Sequence, residues 1–243
     1  MRILTFLYTL WAAFWLIFLF LLLLPFLWLF LQKPEWKQKA HYLNKLWAKL
    51  FFSIIGISIK IQYEFEPDLK KAYVFCSNHF SYIDIPAMSV VVENYFAFVG
   101  KASISKIPLF GYLFARLHIQ VDRDNKNSRS TSLSHSIKAL QSGRSIMIFP
   151  EGGIGSKKIP KMHLPLKDGG FSMAIQQQVP IVPITFLNNY KIMQEGKFAI
   201  YPHTLRAIVH KPIDTIGMTK DDVSSLKNSY YEVVQGALDN YKA

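Results

Sequence analysis

Cysteine is almost missing: the 243-residue chain has one, Cys76. A single thiol excludes an intrachain disulfide framework and any metal site built from several thiolates. It constrains the redox compartment only weakly, toward a reducing interior. Acidic residues are also sparse, 16 Asp and Glu against 28 Lys and Arg, for a formal net charge of +12. A chain this basic attracts nucleic acid, anionic lipid surfaces or acidic substrates, and charge alone does not choose among them. Internal repeats, low-complexity tracts and an interdomain linker are all lacking. Charge itself is absent from Ile3 to Leu31, and that gap is the most informative.

The uncharged run is rich in Leu, Phe and Trp and exceeds the roughly 20 apolar residues needed to span a bilayer core. The sequence after it, Leu31-Gln32-Lys33-Pro34-Glu35, has none of the small residues of a signal-peptide cleavage site. A membrane-anchoring helical segment is therefore expected, bent or divided at Pro25. Arg2 precedes it, whereas Lys33, Lys37, Lys39, Lys45 and Lys49 follow. By the positive-inside rule the rest of the chain belongs on the cytoplasmic side of the membrane. An anchor of this kind argues against a nucleic-acid partner, which only the net charge would support.

Between 35 and 55 the apolar residues recur at helical spacing. Trp36, Ala40, Leu43, Trp47, Leu50 and Ile54 form one stripe, with Lys37, Gln38, Asn44, Lys45 and Lys49 largely opposite. A basic amphipathic helix lying at the membrane interface fits this pattern, and so does a helix packed on a core. Residues 1–55 thus form an anchor plus an interfacial helix, and 56–243 a single domain. From Ile57 to Phe65 the period becomes two, which predicts a half-buried strand. Further apolar runs, "YVFC", "YFAFVG", "HIQV", "SIMIF" and "IVPITFL", and a strand near 198–210, are separated by helices near 84–93, 108–117, 128–142 and 168–178. A final helix near 220–241 has Thr219 as N-cap. The alternation predicts an α/β fold, a mixed, largely parallel sheet flanked by helices.

In such sheets ligands gather at the carboxyl ends of the strands. Four polar clusters fall there: Ser77-Asn78-His79, Lys101, Asp122-Arg123-Asp124 and Glu151-Gly152-Gly153. His79 and Asp84 stand five positions apart, too far round a helix to share a face. They meet only if the chain turns between them, with His79 on a loop and Asp84 at a helix start. Each cluster alone has a structural explanation: a hydrogen-bonded histidine, a surface ion pair, a Pro/Gly turn. No other histidine has ligand-like spacing, so a metal site is not expected.

Taken in order, the clusters resemble the membrane-bound 1-acylglycerol-3-phosphate acyltransferases over about residues 60 to 215. Asn78, His79 and Asp84 match the first motif, Asn-His, four residues, Asp. "GKASISKIPLFGYLF" is similar to the family's Gly-Lys segment, "HIQVDRDN" to the motif that carries an arginine, here Arg123. "FPEGGIGS" resembles Phe-Pro-Glu-Gly-Thr-Arg-Ser, and "VPIVPITF" the fourth motif. The resemblance implies a glycerolipid-acyltransferase-like fold and acyl transfer from a thioester to 1-acyl-sn-glycerol 3-phosphate. It implies His79 as general base oriented by Asp84, and a substrate-binding set of Asn78, Lys101, Arg123, Glu151, Gly152 and Gly153. No cofactor is implied, the co-substrate being acyl-CoA or an acyl carrier protein thioester, with membrane lyso-lipid as acceptor. Backbone N–H groups near His79 or in the Gly152–Gly153 turn are candidates for the oxyanion. One departure stands out: Gly153-Ile154 replaces the usual Thr-Arg. Lys157 or Lys158 could compensate, or the acceptor could be another lyso-lipid. A membrane-surface protein that keeps the fold without catalysis is the remaining alternative.

Overall fold

The computed structural model of the chain describes residues 3–156, 159–193, 196 and 199–242. Lys157, Lys158 and the start of the strand expected near 198 lie outside the described residues, as does Arg2. The apolar run forms one helix, α1 (Ile3–Phe30), with Pro25 inside it and no interruption. A short turn of 3-10 helix, Pro34–Trp36, leads into α2 (Lys37–Ile54). Seven strands follow: β1 (Ile59–Tyr63), β2 (Val74–Ser77), β3 (Phe96–Lys101), β4 (Ile119–Val121), β5 (Ser145–Ile148), β6 (Ile181–Phe186) and β7 (Leu205–Val209). Between and after them come α3 (Asp84–Val91), α4 (Phe110–Leu117), α5 (Lys126–Gln141), α6 (Gly169–Gln177), α7 (Asn189–Ile192) and α8 (Val223–Asn240).

The sheet order is β1-β7-β6-β2-β5-β3-β4. Every pair is parallel except β6 and β7, so the five strands from β6 to β4 end on the same edge. Strands β2, β5 and β6 are buried along their whole length, as expected when helices cover both faces. The pleat divides their side chains between two cores. Phe75, Met147 and Val182 pack with α2 and α3 residues such as Phe51, Phe52 and Met88. Val74, Cys76, Ile146 and Ile181 pack with Phe171, Leu226 and Tyr230 of α6 and α8. Each fully buried Phe or Ile contributes roughly 2–3 kcal/mol of burial free energy. Helix α6 approaches the sheet closely because Gly170 has no side chain. A Cβ there would stand 1.8 Å from Ile148 Cδ1.

Helix α2 differs from the interfacial helix the periodicity suggested. Ala40, Ala48, Phe51 and Phe52 are buried in the fold, while Leu46 and Leu50 face out. Lys45, expected on the polar side, is buried, and its ammonium donates to Val92 O at 3.0 Å, Glu93 O at 3.2 Å and Glu93 Oε2 at 2.7 Å. The chain end of α3 supplies those acceptors, and they compensate the burial of the charge.

Helix α1 is the one described helix long and apolar enough to cross a membrane. It does not stand clear of the domain. Tyr8 donates to Ile55 O at 2.7 Å, Trp47 Nε1 donates to Leu16 O at 3.3 Å, and Ile200 N donates to Thr9 Oγ1 at 3.0 Å. Leu27 and Leu31 pack with Leu113 and Leu117 beside α4. Its outer face exposes Leu7, Trp11, Phe14, Phe18, Leu22 and Phe26 among others. An apolar face of that extent on a water-soluble protein would be anomalous; on a membrane anchor it is required.

Candidate active site

Strand register brings the first two residues together. Cys76 of β2 pairs with Ile148 of β5, and His79 and Glu151 each lie three residues further on. At that common level Glu151 Oε1 accepts the His79 backbone N–H at 2.6 Å. Glu151 Oε2 accepts from His163 N at 2.7 Å, so both oxygens hold main chain. Burial raises its carboxyl to about 7, against the lowering effect of those two hydrogen bonds, and the nearby Asp84 charge raises it further.

After His79 the chain wraps around the Asp84 carboxylate. Oδ2 accepts from His79 Nδ1 at 2.9 Å and from Phe80 N and Ser81 N, both at 3.1 Å. Oδ1 accepts from Asn189 Nδ2 at 2.8 Å. The acid sits in the first turn of α3, whose partial positive charge favours an anion. This loop is how a spacing of five produces a contact: the carboxylate is the hub of the turn. Ser81 adds a second tie through Oγ, which donates to Met193 O at 2.6 Å.

The His79 ring is fixed on a second side by Phe149, stacked at 4.0 Å between centroids and 15° between planes. With Asp84 accepting from Nδ1–H, the lone pair is on Nε2, and Nε2 has no hydrogen-bond partner among the described residues. A second histidine–carboxylate pair offers a contrast. His210 Nδ1 lies 3.1 Å from Glu64 Oε2, but its Nε2 is 2.8 Å from Thr185 Oγ1. Both nitrogens of His210 are taken, which is the pattern of a structural imidazole.

The cations collect on the adjoining strand ends. Lys101 closes β3 and is paired across the ladder with Val121 of β4; its side chain is exposed. Arg123 follows β4 by two residues, half-buried. Its Nη1 stands 4.0 Å from the point a Cβ on Gly153 would occupy. Burial lowers its guanidinium from the usual value, yet it remains a cation. No carboxylate lies in ion-pair range of it among the described residues. Gly152 adopts φ 82°, a backbone conformation that favours glycine.

Two expectations change. Asn78 is fully buried and both ends of its amide hold β6: Nδ2 donates to Phe186 O at 2.9 Å and Phe186 N donates to Oδ1 at 2.8 Å. Its polar atoms face main chain, not the open side of the site. The backbone donors near His79 are also occupied, by Glu151 and Asp84, and Gly152 N donates to Phe149 O at 3.0 Å. Of the donors considered for an oxyanion, Gly153 N–H has no partner among the described residues.

Sequence reasoning did not single out Asn189, Phe149, His163 or Gln235. Asn188-Asn189 directly after the apolar run of β6 was the available signal for the first. Gln235 of α8 accepts from Met162 N at 2.9 Å, which seats the loop whose next residue holds Glu151. That contact joins residues 73 apart and has no sequence signature. Cys76 is buried in the sheet with its thiol pushed well up by burial, and is no nucleophile.

An oriented imidazole beside cations that have no ion-pair partner among the described residues is able to take a proton from a hydroxyl on an anionic molecule. Comparison with known proteins agrees with this class. The family model described as Acyltransferase matches residues 58–187. A chloroplastic 1-acyl-sn-glycerol-3-phosphate acyltransferase of Brassica napus is 31% identical over 193 residues, 78% of this chain and 54% of that protein. A 1-acyl-sn-glycerol-3-phosphate acyltransferase of Haemophilus influenzae is 26% identical, with 78% of each chain covered. The crystal structure of the Thermotoga maritima 1-acyl-sn-glycerophosphate acyltransferase superposes with a TM-score of 0.79 at 21% identity, over 99% of this chain and 98% of that one. This chain belongs to the Acyltransferase family. It shares with the Thermotoga protein the whole fold, helix α1 included, and it spans about half the length of its relatives from Brassica napus, Arabidopsis thaliana and Chlamydomonas reinhardtii.

Proposed function

We propose that the protein transfers a fatty acyl group from a thioester to the free hydroxyl of 1-acyl-sn-glycerol 3-phosphate, giving phosphatidic acid for phospholipid synthesis. The observation that carries this reading is His79, with Nδ1 on Asp84 at 2.9 Å and Nε2 open among the described residues, beside an Arg123 with no counter-ion among them. The names of the Brassica and Haemophilus relatives support the acceptor.

The thioester carbonyl is already activated; the acceptor alcohol is not, being protonated at neutral pH. His79 Nε2 takes the hydroxyl proton as the oxygen attacks the carbonyl carbon, a contribution of roughly 10²–10⁴-fold. Asp84 holds the ring and stabilises the imidazolium. Collapse of the tetrahedral intermediate breaks the C–S bond, and the proton passes to the departing thiolate. No protein nucleophile is needed. The free Gly153 N–H is the donor best suited to the oxyanion, and Arg123 with Lys101 to the acceptor phosphate. An apolar crevice lined by Phe20, Trp47, Phe98, Phe110, Phe114 and Leu117 lies between α1, α2, α3 and α4. Its place between the anchor and the Phe98–Phe149 pair supports it as the acyl-chain site. The lysines after α1 support a cytoplasmic catalytic face.

Gly153-Ile154 in place of Thr-Arg favours a second reading, in which the acceptor is another lyso-lipid. One experiment separates them. The purified protein is given acyl-CoA or acyl carrier protein thioester with a panel of lyso-lipids, and the products are identified by mass spectrometry. Phosphatidic acid as the main product is expected, and its loss in His79→Ala with folding intact. Near-normal turnover by that variant would remove His79 from the base role.

A further inference from the structure

The turn at Gly152–Gly153 carries no basic side chain of its own, yet two basic side chains pass beside it. One is Arg123, against Gly153. The other is Lys167, on the segment before α6. Its Cγ and Cε lie 3.3 and 3.2 Å from where a Cβ on Gly152 would stand, so the lysine stem runs flat across that glycine. Any side chain at Gly152 would displace it. The stem is anchored at its base, where Lys167 N donates to Pro150 O at 2.8 Å. The neighbouring acids are occupied. Asp168 Oδ1 accepts from Lys227 Nζ at 2.6 Å, and Glu151 accepts two main-chain N–H groups. Among the described residues the Lys167 ammonium has no ion-pair or hydrogen-bond partner.

We propose that Lys167 is a binding residue for the acceptor's phosphate, supplying beside the Gly152–Gly153 turn a cation in addition to Arg123 and Lys101. The inference rests on the reading of the protein as an acyltransferase for a phosphorylated lyso-lipid. A phosphate monoester carries close to two negative charges near neutral pH, so a cation beyond Arg123 and the exposed Lys101 adds to its compensation. Lys167 is a point charge on a flexible stem, and the missing Cβ at Gly152 lets that stem approach the turn. Gly152 is then part of the binding site as a space, its lack of a side chain leaving room for the Lys167 stem.

Lys167→Met is the informative variant, because it keeps an unbranched apolar stem over Gly152 and removes only the charge. Steady-state kinetics are measured with 1-oleoyl-sn-glycerol 3-phosphate and with monooleoylglycerol, which lacks the phosphate. The expected result is a KM about tenfold higher for the phosphorylated acceptor, the size of one charge-assisted contact, with a much smaller change in kcat. The KM for monooleoylglycerol should not move. Adding Ile154→Arg to the Lys167→Met protein should bring the first KM back down. A wild-type preference for the phosphorylated acceptor that survives intact in Lys167→Met overturns this inference alone. A wild-type protein indifferent to the phosphate overturns the underlying reading and this inference with it. Thermal unfolding of each variant shows whether a kinetic loss is a folding loss.

Discussion

Asn189 and Asp84 are 105 residues apart in sequence and 2.8 Å apart in space, the amide Nδ2 donating to the carboxylate Oδ1. Through this bond the first residue of α7, just beyond β6, grips the acid that orients His79. Asp84 therefore receives four donors, two from main chain and two from side chains. Fully satisfied buried carboxylates of this sort hold one geometry, and each missing partner loosens it.

Removing the Asp84 charge without changing its shape tests the dyad. Asp84→Asn should lower kcat by roughly 10²–10⁴-fold, since an amide NH2 facing Nδ1 favours the wrong tautomer. Asn189→Ala leaves the carboxylate but strips one donor, and about a tenfold loss is expected, mostly in kcat. Wild-type kcat in Asn189→Ala would show that the other three donors suffice.

Asn78 separates architecture from substrate contact. Its amide satisfies both polar groups of Phe186 main chain in a site without water access. Asn78→Ala should cost about 2–6 kcal/mol of stability, roughly 1–3 for each of the two groups left unpaired. The acceptor KM of the folded fraction should change little. A variant with normal stability and a raised KM would return Asn78 to the substrate-binding set.

Glu151 makes a pH-dependent contribution whose sign is fixed by its shift. Its folded carboxyl titrates at about 7 against an ordinary 4.5, so the folded state holds the proton more tightly than the unfolded one. The stability it contributes is full below pH 4.5 and is lost as the pH rises through 7. At roughly 1.36 kcal/mol per pKa unit the loss is on the order of 3 kcal/mol. Unfolding midpoints of wild type and Glu151→Gln at pH 5 and pH 8 check this. Relative to the Gln variant, wild type should fare worse at the higher pH; parallel pH dependences would contradict the burial argument.

Arg123→Ala should raise the KM for a phosphorylated acceptor by roughly tenfold or more, as expected for loss of a charged hydrogen-bonding fork. High salt should narrow the gap between wild type and variant only partly, because the guanidinium is half-buried. An unchanged KM would argue against phosphate recognition at this position.

The fold was legible because the strands announce themselves. Strands such as β2, β5 and β6 are short β-branched and aromatic runs between turn residues, and the anchor is a gap in charge that nothing else explains. Legibility failed where long-range contacts decide. Lys45 looks like a surface lysine at helical spacing, and only the approach of Glu93 from α3 makes its burial tolerable. The antiparallel placing of β7 beside β6 was likewise outside the reach of periodicity, which carries no strand direction. In the candidate site, His79, Asp84, Arg123 and Glu151 stand out in the sequence because each follows a strand or starts a helix and each falls in a motif that resembles the acyltransferases. Asn189, Gln235 and Lys167 were not, since their positions depend on how loops return to the sheet.

Helix α1 is bonded to the domain near both ends of its length, through Tyr8 and Thr9 at one and Leu27 and Leu31 at the other. With α1 inserted in a bilayer, the domain would not drift on a tether, and the height of His79 relative to the lipid would be set by the fold. For such a site the concentration that matters is two-dimensional. Turnover should follow the mole fraction of acceptor in the membrane surface, and dilution with inert phospholipid should slow it even when the total amount of acceptor in the tube is unchanged.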